Sequence, residues 1–275
     1  MHHLRNSFAL LLASCSVVQM GEATVSTAQL GAGQVAAKLR DIPVMCEADV
    51  VIAGGSSAAV AAACAAAEQG AKAVLIAPRP YLGDDLCGQQ RLWLEEGAKP
   101  GSELALSLFP AGRVTTPFTV KRALDEALIK RGIRFLTGCY ATDLLVDQQG
   151  RASGVAVVNR SGCQAIRAKV VIDGTRHAQL ARQAGASFRA CDPGEKAFHM
   201  TVVGGELQAG PNLVGSTLDV TFQNPAGSKR PMVCPVYDYV TQVPLSDGGF
   251  AAFARAGQAV RDRVCSAGMR DCSET

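Results

Sequence analysis

The clearest pattern of apolar residues and turn residues lies between Asp49 and Ala77. Residues 49–53 form a short apolar run of strand length that ends on two glycines, Gly54 and Gly55. From Ser56 the chain is rich in alanine, a strong helix former, up to Gly70, which favours the end of a helix. Residues 72–76 then predict a second buried strand. The pattern indicates a βαβ unit with a glycine turn at the start of its helix.

Downstream segments extend this unit into a layered α/β protein. Apolar positions at helical spacing predict an amphipathic helix over 119–131, which is followed by a third strand of the same sheet. Three short strands separated by glycine turns predict an antiparallel meander, and then come another apolar strand and a helix. Residues 90–96 are read as a short helix or strand, and 100–117 as irregular. The later predictions, in order, are strand 133–136, meander segments 140–146, 154–159 and 163–168, strand 169–172 and helix 177–184.

Beyond Arg189 the pattern changes. Strands are expected over 198–203 and 218–222, a helix is expected over 250–263, and several prolines interrupt the region. We interpret this part as the start of a second domain.

Composition narrows the class of protein without identifying it. The hydrophobic content of 48% suffices for a buried core, and the 28 glycines suit close packing of helices on a sheet. The 27 basic residues nearly balance the 24 acidic ones, and aromatic residues make up only 5%. These values argue against a nucleic-acid-binding protein.

The first residues resemble an export signal. His2, His3 and Arg5 precede an apolar run over 8–18, which is too short to span a bilayer. We expect a signal peptide over 1–22 and a periplasmic or secreted protein. Residues 12–15 also resemble a lipoprotein cleavage box, in which a lipid on Cys15 would be the protein's contact with a membrane. An ordinary amphipathic leader is the alternative.

The ten cysteines do not form a recognisable metal or redox motif, because no pair has the Cys-x-x-Cys spacing. Most are interpreted as small buried hydrophobic residues. Export would allow a local disulfide between Cys265 and Cys272, but their spacing alone is weak evidence and we do not expect one. No metal site is expected.

The turn after the first strand carries the main chemical signal. Dinucleotide-binding folds use Gly-x-Gly-x-x-Gly so that the backbone can turn, approach a pyrophosphate and pack a helix on a strand. The corresponding positions here are Gly54, Ser56 and Ala59. The acidic residue that usually binds ribose, about 20 residues on, is replaced by Ala77. Arg79 could contact the adenine or a 2′-phosphate, which leaves NADP as a minority alternative.

The ordered combination of glycine turn, loop 81–86 (Tyr-Leu-Gly-Asp-Asp-Leu), amphipathic helix, meander and final Asp173-Gly174-Thr175 resembles the glutathione-reductase-like FAD-dependent oxidoreductases. The resemblance covers about residues 48–206. It implies a Rossmann-like FAD/NAD(P)-binding parallel sheet with a three-stranded antiparallel meander, plus the start of a second domain. The expected domains are a linker over 23–47, an FAD-binding domain over 48–190 and a partial substrate domain over 191–275.

The resemblance also implies a cofactor and its contacts. The glycine turn and the start of the helix would hold the FAD pyrophosphate, the loop near Gly83 would pass along the cofactor, the segment at Ala141 would contact adenine through its backbone, and the strand end at 173–175 would close over the diphosphate. The complete set of cofactor-binding candidates is Gly54, Gly55, Ser56, Ser57, Ala58, Ala59, Pro78, Arg79, Gly83, Ala141, Asp173, Gly174 and Thr175.

Two readings of function follow from these residues. The first is an FAD-dependent oxidoreductase, or its FAD-binding lobe, that transfers a hydride from a small organic substrate to FAD. The alternative is a degenerate or truncated Rossmann-like domain with a non-catalytic binding or structural role. Ser56, Ala77 and the absence of the family's C-terminal return to the first domain favour the alternative, and the chain is expected to lack a C-terminal part. No catalytic residue is assigned, and Cys87, His177 and His199 are interpreted as packing or solvated residues.

Overall fold

The structure is a computed structural model that describes residues 41–189, 191–210, 212–223 and 233–266. The signal peptide, the cleavage box at Cys15 and the possible disulfide partner Cys272 lie outside these ranges. Predictions about them therefore stay predictions.

Residues 41–189, the first part, form six strands and four helices. These elements are β1 (Val44–Ala53), α1 (Ser57–Glu68), β2 (Ala73–Ala77), α2 (Glu103–Leu108), α3 (Pro117–Lys130), β3 (Arg134–Thr137), β4 (Tyr140–Val146), β5 (Ala152–Asn159), β6 (Gly162–Asp173) and α4 (Gln179–Gln183). The second part contains β7 (Gly194–Val203), β8 (Leu213–Gln223), β9 (Val233–Leu245) and α5 (Phe250–Ser266).

The six strands of the first part belong to one mixed sheet in the order β3-β2-β1-β6-β5-β4. β1 lies between β2 and β6 and is parallel to both, and β3 is parallel to β2. β4, β5 and β6 form the antiparallel meander. The predicted fold class, a mostly parallel Rossmann-like sheet with a meander, is thus confirmed.

The core lies on both faces of this sheet. On one face Ile52 and Leu75 are fully buried beneath Val60 of α1 and Leu124 of α3. On the other face Val51 and Val74 pack with residues of β5, β6 and α4, including Val155, Ile166 and Leu180. Because β1 and β2 are buried on both sides, their sequences are continuous apolar runs, as expected of central parallel strands.

The final strand differs from the prediction. Residues 163–168 and 169–172 were expected as two strands, but both belong to β6, which pairs with β5 over residues 162–167 and with β1 over residues 165–173. Its alternating charges, Arg167 and Lys169, face acidic residues of β1 instead of marking a break. The meander and the parallel sheet therefore share a strand.

β1 begins at Val44, five positions before the expected start. Glu47 was assigned to the linker and Asp49 to the start of the strand. In the structure their carboxylates pair with Arg167 and Lys169 of the adjacent β6, at N to O distances of 3.1 Å and 2.7 Å. The extension of β1 falls inside the range that was expected to be a linker.

Several other boundaries were wrong. Residues 100–117 contain the short helix α2, and residues 90–96 form neither a helix nor a strand, apart from an isolated bridge between Trp93 and Val114. The helix expected over 177–184 is confined to Gln179–Gln183. β9 was not predicted.

The second part is an antiparallel sheet in the order β7-β9-β8 with α5 packed on one face. Tyr239 and Val264 are fully buried between them. The opposite face contacts the first part through Val220 and Val236, which pack on Trp93. The predicted boundary after residue 190 falls in the connection between α4 and β7, and the substrate-domain assignment stays a prediction. Within the described ranges, none of the helices has the length and apolar character needed to cross a membrane.

Candidate functional site

The ends of β1 and β6 meet at a point where no side chain fits. Gly54 has a φ of +135°, and a Cβ there would lie 2.2 Å from the carbonyl oxygen of Gly174. A Cβ on Gly174 would lie 3.0 Å from the Cβ of Ala59 and 3.1 Å from the carbonyl oxygen of Ala53. Two strand ends and the first turn of α1 are thus held in backbone contact. This arrangement lets a ligand approach the main chain closely.

Gly55 connects this point to the loop after β2. A Cβ at Gly55 would lie 2.9 Å from the Cβ of Ala77, and its carbonyl oxygen accepts a 2.6 Å hydrogen bond from the N–H of Gly83. Gly83 has a φ of +86°, and its missing side chain leaves space for Val120 and Leu124 of α3. The loop at Gly83 is therefore fixed between the glycine turn and α3.

The beginning of α1 presents free hydrogen-bond donors. Ser56 is the N-cap, and its hydroxyl accepts a 3.2 Å bond from the N–H of Ala59. Within the described part of the chain, the N–H groups of Gly55, Ser56 and Ala58 donate no hydrogen bond. Gly55 is buried, so its unpaired N–H group would be costly without a ligand. Convergent N–H groups at a positive helix end suit a diphosphate, and these residues fit that group of FAD.

The N–H group of Ser57 already has an anionic partner. The carboxylate of Asp85 accepts bonds from the Ser57 N–H at 3.0 Å and from the Ser57 hydroxyl at 2.5 Å. Asp85 was not among the candidates from the sequence. The signal available was two consecutive acidic residues directly after Gly83, in a loop expected beside the cofactor.

The side chains of Asp173 and Thr175 accept hydrogen bonds from N–H groups of α4. The Asp173 carboxylate accepts bonds from the N–H and hydroxyl of Thr175 and from the N–H of Ala181, at 2.9, 2.6 and 2.8 Å. The Thr175 hydroxyl in turn accepts a bond from the N–H of Gln179 at 3.0 Å. These side chains fix the exit from β6, and it is the backbone of Gly174 that reaches the glycine turn.

The remaining candidates lie directly after β2 and in β4. The carbonyl oxygens of Ala77 and Arg79 accept bonds from the N–H groups of Cys139 and Gly138, at 2.9 and 3.1 Å. The Arg79 side chain is exposed, while Pro78 is half-buried. Ala141 is half-buried in β4, opposite Val157 of β5. The structure thus ties the β3–β4 link to the end of β2.

The contacts of Cys87, His177 and His199 are those of packing or paired side chains. Burial raises the pKa of the Cys87 thiol, although Lys121 lowers it, so this cysteine is a poor thiolate nucleophile. His177 contacts the Phe250 ring edge-on, and His199 pairs with Asp238 across the second sheet at 2.9 Å. Among the described residues there is no group of three or more His, Cys, Asp or Glu that could hold a metal ion.

Comparison with known proteins gives a family match that extends from β1 through β7. The family described as FAD dependent oxidoreductase matches residues 49–209. No curated protein matches the chain.

Several solved structures are similar to this chain at low identity. THI4 of Thermovibrio ammonificans is 20% identical, with a TM-score of 0.41 over 52% of this chain and 64% of its own. A geranylgeranyl bacteriochlorophyll reductase-like protein of Thermoplasma acidophilum is 18% identical, with a TM-score of 0.46 over 70% and 56%. The OxyS anhydrotetracycline hydroxylase of Streptomyces rimosus is 19% identical, with a TM-score of 0.43 over 71% and 45%. The chain therefore spans between 45% and 64% of the length of these structures.

Proposed function

The chain belongs to the family of FAD-dependent oxidoreductases, and from this premise we propose that the glycine turn and the first turn of α1 bind the diphosphate of FAD. We further propose the glutathione-reductase-like arrangement, in which the FAD lies along the carboxyl ends of β1, β2 and β6. The observation that carries the proposal is the set of unpaired N–H groups at Gly55, Ser56 and Ala58.

These residues bind and orient and do not perform chemistry. Gly54 and Gly174 keep side chains away, and the N–H groups of the first turn of α1 hold negative charge at the positive helix end. Since Ala77 cannot bind the ribose through a carboxylate, the exposed Arg79 is the proposed contact on that side. The bound FAD supplies hydride acceptance.

The proposed substrate is a small organic molecule that is oxidised at the flavin. Residues 191–275 are proposed to form its binding side, because β8 and β9 pack directly on Trp93, which follows the loop after β2. Arg113 and Asp219 add a 3.3 Å ion pair between the two parts.

A charge placed at the start of α1 tests the diphosphate site. Ala58 is exposed, and an acidic residue in the first turn of a helix favours the helix, so Ala58→Glu should fold normally. The new carboxylate should repel the diphosphate and weaken FAD binding by at least about ten-fold, as followed by flavin fluorescence. Ala65→Glu is the matched control, because it adds the same charge to an exposed position two turns further along α1.

The two variants separate the possible errors. Equal affinity of Ala58→Glu and Ala65→Glu for FAD would show that the diphosphate does not bind at the start of α1. A wild-type chain that binds no FAD would contradict cofactor binding altogether.

The second candidate function is a binding or structural module without catalysis. The observation that favours it is the Asp85 carboxylate on Ser57, together with the hydroxyl of Ser56 at the position where the motif has glycine. On this hypothesis the natural chain binds no FAD, and the double variant Ser56→Gly, Ala77→Glu gains binding. Tight FAD binding by the wild type would exclude it.

A further inference from the structure

Asp85 holds part of the surface that an anionic cofactor would use. Its carboxylate bonds both polar hydrogens of Ser57, the first residue of α1. The neighbouring N–H groups of Ser56 and Ala58 are the unpaired donors described above. The positive N-terminal end of a helix favours negative charge, and here the Asp85 carboxylate of the same protein supplies that charge.

We propose that Asp85 competes with the diphosphate of FAD for the start of α1, so that cofactor binding requires Asp85 to release Ser57. The inference rests on the proposed function. In the chain without cofactor, the carboxylate satisfies Ser57 and stabilises α1. It thereby lowers the affinity for FAD.

The loop geometry allows release without unfolding. Residues 83–88 form a tight turn in which the N–H groups of Cys87 and Gly88 bond the carbonyl oxygens of Gly83 and Asp84, at 2.8 and 3.1 Å. One end of this turn is fixed by the bond from Gly83 to Gly55. The Asp85 side chain is half-buried and points from this turn to Ser57. A change of its side-chain rotamer is therefore enough to free the Ser57 N–H group, while the backbone of the loop stays in place.

The expected repulsion is large enough to measure. An anion bonded to the N–H groups of Ser56 and Ala58 would lie about 4–6 Å from a carboxylate bonded to Ser57, since both use hydrogen bonds of about 3 Å. Like charges at this distance near a protein surface change an affinity by about ten-fold or more. Removal of the charge should therefore strengthen binding.

Asp85→Asn is the direct test, because asparagine has nearly the same shape, removes the charge and keeps one acceptor oxygen for the Ser57 N–H group, while its NH2 group can donate to the Ser57 hydroxyl. We expect Asp85→Asn to bind FAD at least about ten-fold more tightly than the wild type, by titration of flavin fluorescence. Asp84→Asn removes the same charge from the same turn and makes no contact with Ser57, so its affinity should change by less than about three-fold.

A second readout does not depend on the cofactor. Without FAD, Asp85→Ala should speed amide hydrogen exchange at Ser57 relative to the wild type, because this N–H group loses the acceptor that it has among the described residues. Asp84→Ala should leave that exchange unchanged.

The possible outcomes distinguish FAD binding at this site from competition by Asp85. If the wild type binds FAD and Asp85→Asn binds no more tightly than Asp84→Asn, competition by Asp85 is wrong and the cofactor site stands. If Asp85→Asn binds more weakly, Asp85 supports the cofactor instead of competing with it, and the proposal is also overturned. If none of the three proteins binds FAD, both the proposed function and the competition fail.

Discussion

The two ends of the paired strands β1 and β6 are built in opposite ways. At the amino end, side chains carry four charges, and Glu47 and Asp49 pair with Arg167 and Lys169 on the exposed surface. At the carboxyl end, Gly54 and Gly174 bring main chains together without side chains. The two strands are thus joined by paired charged side chains at one end and by direct backbone contact at the other.

The difference shows where a ligand can be held. The charges at the amino end already have partners, and exposed ion pairs contribute little to stability. At the carboxyl end the N–H groups of Gly55, Ser56 and Ala58 donate no hydrogen bond within the described ranges, and the Asp85 carboxylate bonds the adjacent Ser57. In open α/β sheets ligands bind beyond the carboxyl ends of the strands, and the chemistry of this end agrees with that rule.

The largest expected effect is at Gly54. In Gly54→Ala the new Cβ would lie 2.2 Å from the Gly174 carbonyl oxygen, at a residue whose φ of +135° already disfavours a side chain. The substitution should lower the free energy of unfolding by about 4 kcal/mol. Gly70→Ala is the control, since its φ is +79° with no atom within 4 Å of the new Cβ. It should cost about 1 kcal/mol. Chemical denaturation measures both values, and equal costs would contradict close packing at Gly54.

Asp173→Ala should have the next largest effect. The substitution leaves the N–H groups of Thr175 and Ala181 without their acceptor and should cost about 2–3 kcal/mol in chemical denaturation. Asp143→Ala, at an exposed position of β4, should change the unfolding free energy by less than about 0.5 kcal/mol. A similar small loss for Asp173→Ala would show that its carboxylate does not hold the β6 exit.

A smaller effect is expected at the cap of α1. Ser56→Ala removes the acceptor of the Ala59 N–H group and should cost about 1 kcal/mol, whereas Ser56→Gly should cost only a few tenths. Thermal unfolding of the two variants in parallel measures the difference. Equal stability of the wild type and Ser56→Ala would mean that the hydroxyl does not cap the helix.

The smallest effect belongs to the amino end and depends on pH. The side-chain hydrogen bond from Lys169 lowers the pKa of Asp49 below its ordinary value of 3.8. A lowered pKa adds stability above pH 3.8, and this contribution is lost as the pH falls through the folded-state value. Asp49→Asn should therefore be less stable than the wild type at pH 6 and should approach it in acid. A constant difference from pH 6 to about pH 2 would contradict the pairing.

The sequence predicted the elements whose pattern is local. The apolar run of β1, the alanine-rich α1 and the glycine turn between them are found where periodicity placed them. β9 was missed because Pro235 and Pro244 argue against a central strand. In the structure Pro235 lies beside an irregularity in the pairing with β8, and Pro244 lies beyond the end of that pairing. Both prolines thereby avoid positions where an N–H group is required on that side.

The candidate site was predictable in its backbone and not in its side-chain contacts. Glycine spacing indicated the tight turn at Gly54 between β1 and α1, because the first glycine of the motif turns the chain. The contact of Asp85 with Ser57 joins residues 28 positions apart, and the turn of Asp173 toward α4 depends on how β6 ends. Such contacts follow from tertiary packing, which a linear pattern does not contain.

Titration of the purified wild-type chain with FAD tests the central claim most directly, with calorimetry for the stoichiometry and flavin fluorescence for the environment. The account predicts saturation at one FAD per chain, with the affinity lost in Ala58→Glu and kept in Ala65→Glu. Absence of any heat or fluorescence change with the wild type would contradict it.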